Sequence, residues 1–303
     1  MDKLKSFGLK ALKLIGFVAV FFIALGTLLL FNSPTKYIGE IEINPKIGYS
    51  EYAEGKYVGE LLGKIRSGTG EFTFDTGESY IGSWEDNLMS GSGTLTFSDT
   101  GVYTGAFQDA KRSGKGTFAW NNGDKYDGNW TDDKLNGKGV LTLADGTIID
   151  GTFSNNSLSS GSIVVNNDIG RFTYTVSDQK LANNVTIEFT DGVTYSGGFA
   201  NDMISGTGTM VYPGIGSYDG SFVSGQRSGT GKFVWNDGPH YEGSWSNDMM
   251  NGEGVYYYGS TASPYLKGSF LNNKPNGECT YHNTNGNFKT TWSNGQCVNI
   301  VRE

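Results

Sequence analysis

Tyr126-Asp-Gly128-Asn-Trp130, followed seven residues later by Gly137-Lys-Gly139, is the stretch on which the reading of this chain turns. The same pattern recurs as Tyr80-Ile-Gly82-Ser-Trp84 with Gly91-Ser-Gly93, and as Tyr241-Glu-Gly243-Ser-Trp245 with Gly252-Glu-Gly254. Units start at Tyr57, Tyr80, Tyr103, Tyr126, Ile149, Phe172, Tyr195, Tyr218 and Tyr241, each 23 residues after the last. A two-residue insertion near Ser263-Pro264 moves the next unit to Leu266, and a terminal half-unit starts at Phe288 and includes Trp292. A fixed period of this length is the signature of a repeat architecture.

Within a unit the first, third and fifth positions are aromatic, glycine, aromatic, as in Tyr103, Gly105 and Phe107. Alternate residues of a strand share a face, so two rings flank a bare glycine and leave a gap that a neighbouring ring can fill. A turn rich in Asn and Asp follows, such as Asp86-Asn87, Asp132-Asp133 or Asn247-Asp248, residue types that tolerate hairpin-turn backbone. The Gly-x-Gly pair then opens a second strand, as in Gly114-Lys-Gly116-Thr-Phe118-Ala-Trp120. Each unit is predicted to be one β-hairpin with one apolar face and one face of Ser, Thr, Asp, Glu and Lys. A lone hairpin is marginal in water, so neighbours must stabilise one another. The predicted class is all-β: an elongated single-layer antiparallel ribbon of about ten hairpin repeats, on the order of 100 Å long at two strands of about 4.8 Å per unit.

Composition agrees. Of 303 residues 46 are Gly, only 6 are Pro and 14% are aromatic, which excludes disorder and collagen. Two Cys and two His exclude a disulfide-dense scaffold and a four-Cys zinc site, and argue against a His-based metal centre. Leu14–Phe31 is an uncharged run of 18 residues, about 27 Å as a helix, close to a hydrocarbon core of about 30 Å. Lys3, Lys5, Lys10 and Lys13 precede it, which points to a cytoplasmic N-terminus with the rest of the chain outside. A cleaved signal peptide is the competing reading; the length of the run and the absence of a small-x-small site near Leu28-Leu29-Leu30-Phe31 favour an uncleaved anchor. The expected layout is a basic cytoplasmic tail at 1–13, a transmembrane helix at 14–31, a linker with room for a degenerate first repeat at 32–56, and the array at 57–303. Residues 1–36 carry net +4, so the remainder carries −12 against a total of −8. Such an acidic array is repelled by nucleic acid and anionic headgroups.

The Tyr-x-Gly-x-Trp…Gly-x-Gly pattern at this spacing resembles MORN (membrane occupation and recognition nexus) repeats, over about residues 57–292. The resemblance implies an elongated all-β array serving as a scaffold, interaction or dimerisation module. Some members carry a separate enzyme domain, and no stretch is left over here for one.

Two consecutive units, 149–194, are eroded. Ser160 and Ser162 stand where the Ile149 unit should have its glycine pair, and the Phe172 unit has Tyr174, Val176, Asn183 and Val185 at its glycine and ring positions. This is either drift or a bend or docking point between regular blocks. Cys279 and Cys297 lie in the last hairpins, where a disulfide would pin the C-terminal edge; two free thiols are the alternative. The scattered acids are turn and surface residues, Gly-x-Gly precedes a strand rather than a phosphate-binding helix, and no catalytic, cofactor or metal site is predicted. The candidate interaction face is the ring rows of Tyr80, Trp84, Tyr103, Phe107, Tyr126, Trp130, Tyr195, Phe199, Tyr218, Phe222, Tyr241 and Trp245. The expected function is a membrane-tethered, non-catalytic scaffold for a protein partner or a second copy. The alternative is cell-surface carbohydrate binding through exposed rings.

Overall fold

A computed structural model describes residues 54–303. The basic tail, the membrane helix and nearly all of the linker fall outside the described residues. Among the described residues there are 22 strands and no helix long and apolar enough to cross a membrane. They fall into two compact units, 54–182 and 183–303, and the boundary lies inside the eroded stretch.

The first unit holds β1 (Gly55–Leu62), β2 (Ile65–Phe74), β3 (Ser79–Glu85), β4 (Leu88–Thr96), β5 (Gly101–Gln108), β6 (Lys111–Trp120), β7 (Lys125–Thr131), β8 (Lys134–Thr142), β9 (Ile148–Ser154), β10 (Ser157–Asn166) and β11 (Gly170–Ser177). The second holds most of β12 (Lys180–Phe189), then β13 (Thr194–Ala200), β14 (Met203–Tyr212), β15 (Gly216–Val223), β16 (Gln226–Trp235), β17 (His240–Ser246), β18 (Met249–Tyr257), β19 (Tyr265–Leu271), β20 (Lys274–Asn283), β21 (Gly286–Ser293) and β22 (Gln296–Arg302). In each unit every strand pairs antiparallel with the next in chain order. The predicted terminal half-unit is a complete hairpin, because β22 returns along β21 after the Asn294-Gly295 turn.

After the first hairpin, the hairpin turns have positive φ at both central residues, as in 46° and 66° at Asp86-Asn87, 48° and 65° at Asp132-Asp133, and 49° and 64° at Asn247-Asp248. Such turns match the right-handed twist of the flanking strands. The second turn residue also ties its hairpin to the one before. The Asn156 side-chain oxygen accepts the Leu135 N–H at 2.8 Å, and Asn273 accepts that of Met250 at 2.7 Å.

The two glycines of Gly-x-Gly answer different demands. The first sits at positive φ, 97° at Gly137 and 70° at Gly229, where the strand bulges. The second faces a glycine across the hairpin, as Gly139 faces Gly128 and Gly254 faces Gly243.

In the eroded stretch the pairing slips by one residue. In the regular array Leu141 pairs with Ile149. Their counterparts 23 residues on are Val164 and Phe172, yet Phe172 pairs with Val165. Ile187 opposite Tyr195 is back in the regular register. Gly161, not Ser162, opposes Gly151, and a side chain there would meet the Asp150 carbonyl at 2.2 Å. Leu158 fills the volume a Tyr ring occupies elsewhere, and Tyr174 and Val185 put buried side chains where other units have bare glycines. The two-residue insertion is absorbed in the 258–264 connector, so the rows beyond it keep their alignment.

Turn chemistry yields a paired prediction. Asn156→Ala removes an acceptor and leaves Ala at φ 69°, so it should cost about 2 kcal/mol in chemical denaturation. Ala110→Gly relieves φ 63° and should stabilise by about 0.5–1 kcal/mol.

Candidate functional site

Each first-position tyrosine bends over its own glycine pair. A methyl group built on Gly139 would meet the Tyr126 ring at 2.2–2.6 Å, and one on Gly254 would meet Tyr241 at 2.3–2.5 Å. The ring that covers the gap is therefore the unit's own, not a neighbour's as expected. Its hydroxyl donates to the carbonyl three residues on: Tyr80 to Ser83 at 2.9 Å, Tyr103 to Ala106 at 2.9 Å, Tyr126 to Asn129 at 3.1 Å and Tyr195 to Gly198 at 2.8 Å. Tyr218 and Tyr241 repeat this at 3.1 Å each.

The fifth-position rings stand edge-on between successive tyrosines. In the first unit Tyr80 meets Trp84 at 5.2 Å and Phe107 at 5.0 Å, Tyr103 meets Phe107 at 5.1 Å and Trp130 at 5.2 Å, and Tyr126 meets Trp130 at 5.4 Å and Phe153 at 5.4 Å. In the second, Tyr195 meets Phe222 at 5.3 Å, Tyr218 meets Phe222 at 5.1 Å and Trp245 at 5.2 Å, and Tyr241 meets Trp245 at 5.4 Å. Interplanar angles of 78–90° make these T-shaped contacts, worth about 0.5–1.5 kcal/mol each beyond their burial. The indoles of Trp84, Trp130 and Trp245 each donate to a glycine carbonyl of the preceding unit, at 3.1–3.2 Å.

This geometry corrects the expected interaction face. Tyr80, Trp84, Tyr103, Phe107, Tyr126, Trp130, Tyr195, Tyr218, Phe222, Tyr241 and Trp245 are all no more than 5% exposed, and only Phe199 is partly open. The rings are the core, because each tyrosine folds flat onto bare glycine and seals the row from within.

Sequence reasoning missed the arginines beneath these rows. Arg112 is 1% exposed and Arg227 2%. The Arg112 guanidinium lies 4.5 Å from the Trp130 ring centre, and Arg227 lies 4.5 Å from that of Trp245. Each is fixed by an acid in the next turn. Asp133 Oδ1 accepts the Arg112 backbone N–H and Nε–H, both at 2.9 Å, and its carbonyl accepts Nη2–H at 3.0 Å. Asp248 binds Arg227 in the same way at 2.9, 3.1 and 2.7 Å. Arg66 lies 4.6 Å from the ring centres of Phe72 and Trp84. Buried cations next to ring faces gain cation–π attraction, and losing the paired acid would strand a charge.

Cys279 and Cys297 are thiols not joined in a disulfide, the second of the two readings the sequence left open. Strand β21 lies between their strands, so the backbones are about 9–10 Å apart at 4.7–4.9 Å per strand, beyond the reach of a disulfide at about 7 Å. Burial pushes the Cys279 thiol up to about 11. Among the described residues no group of three or more His, Cys, Asp or Glu could hold a metal ion.

MORN repeat models match residues 57–79, 80–102, 103–125, 126–148, 195–214, 218–239, 241–261 and 267–288. These cover more than half of the chain, and it belongs to the MORN repeat family. The eroded pair, 149–194, is unmatched, as is nearly all of the terminal hairpin. No characterised protein matches in sequence. Among solved structures, the Drosophila melanogaster SAS-4 (dCPAP) TCP domain, in complex with a proline-rich motif of Ana2 (dSTIL), is 9% identical over 68% of this chain and 98% of that one, with a TM-score of 0.26. A streptogramin B lyase is 13% identical over 77% of this chain and 67% of that one, with a TM-score of 0.12. Neither likeness is close enough to carry an argument.

Burial raises the core tyrosines, to about 12 for Tyr126 and Tyr218. A phenol whose folded pKa exceeds its unfolded value of about 10 contributes stability that is intact below pH ~10 and lost as pH climbs toward the folded value. Tyrosinate absorbance in an alkaline titration should therefore rise together with loss of strand circular dichroism between about pH 10 and 12. Ionisation of Tyr126 near pH 10 with the strands intact would contradict the sealed core. In the same fold Cys297 should be alkylated well before Cys279 at neutral pH.

Proposed function

We propose that this protein is a membrane-tethered, non-catalytic scaffold whose outer strand faces engage a protein partner or a second copy of the chain. The observation that carries this reading is that the rings are consumed internally. What the array displays is the opposite face and its ends. There Ile81 is 57% exposed, Val223 58%, Leu62 71% and Val298 62%, set among Ser, Thr, Lys, Asp and Glu. Repeats that present one residue pattern many times suit extended, multivalent contacts. The tether is the 18-residue apolar run Leu14–Phe31. Its lysine-rich flank supports a cytoplasmic N-terminus and an array outside the cytoplasm. The net −12 of the chain beyond residue 36 disfavours nucleic acid and anionic lipid surfaces as partners. Carbohydrate binding through Trp84, Trp130 and Trp245 has no support, since their faces are covered.

Two measurements test the proposal together. In intact cells, added protease should digest the array without lysis, and the chain should sediment with membranes. Crosslinking in those cells should yield a discrete adduct that is lost when Ile81 and Val223 are replaced by Lys, with the strand spectrum unchanged. An array cut only after lysis would overturn the orientation. Adducts indifferent to the outer-face substitutions would overturn the display surface.

A further inference from the structure

The second unit carries one departure from strict repetition on its outer face. Strands β15–β18 and the 258–264 connector enclose an open concavity of about 640 Å³, within the range of small-molecule sites, roughly 300–1,000 Å³. Ser217 and Val234 face each other across β15 and β16 and form a low floor. His240 stands beside Val234 as one wall, backed by Tyr257, the two rings parallel within 9° and 4.2 Å apart. The row continues through Tyr265 at 5.8 Å to His282 at a further 4.9 Å, so both histidines of the chain belong to it. Ser260 and Ala262 of the connector form the opposite rim. That rim exists because the two-residue insertion falls in this connector: seven residues separate Tyr257 from its partner Tyr265, where five separate Thr142 from Ile148.

The polar groups are mixed in sign. Lys232 Nζ and Glu242 Oε1 pair at 2.8 Å, both side chains 46% exposed, and His240 Nε2 lies 4.0 Å from the same carboxylate.

We propose that this concavity binds a neutral saccharide of two or three sugar rings. Closely set hydroxyls, each both donor and acceptor, match an ammonium and a carboxylate held side by side, and the Ser217 and Ser260 hydroxyls extend that set. The His240 side chain, stacked on Tyr257 and 13% exposed, offers its open edge as an apolar contact for the C–H groups of a sugar ring. The paired charges leave no excess cation to draw an anion, and the net −12 of the chain beyond residue 36 repels one. The scaffold reading does not depend on this site, and loss of saccharide binding would leave the crosslinked adduct described above intact.

Isothermal titration of the full-length protein in detergent, with cellotriose and with chitotriose, tests the proposal. At least one should bind saturably in the millimolar range or tighter. Glu242→Gln should weaken binding about tenfold, or about 1.4 kcal/mol, and Ser260→Trp, which fills the concavity from its rim, should abolish it. Both substitutions sit on the surface and should leave the melting temperature within a few degrees. Thr94→Ala, in the first unit, should change nothing. No saturable binding of either sugar, binding indifferent to Glu242→Gln and Ser260→Trp, or equal competition by inorganic phosphate would each overturn it.

Discussion

A tyrosine ring laid flat over two glycines that face each other across a hairpin is the interaction on which the rest depends. It needs bare glycine on both strands, since a single methyl group on Gly139 would sit within 2.2–2.6 Å of the ring. It frees the tyrosine hydroxyl to cap a bulged carbonyl, and it turns the ring edge toward the Trp or Phe of the next unit. Hairpins too small to fold alone are thereby joined in a continuous apolar row. A single sheet layer ordinarily leaves one apolar face wet. Here the depth of a missing side chain is used to bring the rings down to the backbone, and the face closes on itself.

Much of this was legible in the residues. The 23-residue spacing, the period-two alternation and the Asn/Asp turns place the strand pairs of the regular units correctly, because each is local chemistry repeated. The self-sealing of the aromatic face was not legible. Tyr126 and Trp130 share a strand face in any hairpin, and only the ring's tilt, set by the space above Gly128 and Gly139, separates a core from a binding surface. The arginines were missed because Arg112 and Arg227 occupy a position that is Met89, Leu135, Ile204 or Met250 in other units. A signal was present: Asp133 and Asp248 follow those two arginines by 21 residues, and Asn156 follows Leu135 at the same interval. The one-residue slip near Phe172 was hidden for a different reason. Gly161 compensates for Ser162, so the 23-residue spacing survives while the pairing beneath it changes.

Function follows from what the core uses up. In a regular unit the rings, the first-position hydroxyls and most of the indole donors are satisfied internally, and contact with other molecules is left to the strand face that alternation turns outward. That face is simple where the repeat is regular. It acquires depth, stacked rings and mixed charge where a connector lengthens by two residues, between Tyr257 and Tyr265. Repetition supplies stability, and departures from it supply individuality.

The most direct measurement is a double-mutant cycle between Tyr126→Leu and Gly139→Ala, read as unfolding free energy in denaturant. Gly139 has ordinary backbone angles, and the nearest atoms to an added methyl are all in the Tyr126 ring. The account predicts that Gly139→Ala is strongly destabilising alone and nearly neutral in the Tyr126→Leu background, a coupling of about 1–3 kcal/mol. Penalties that simply add would contradict it, and with it the claim that ring-on-glycine contact builds the array.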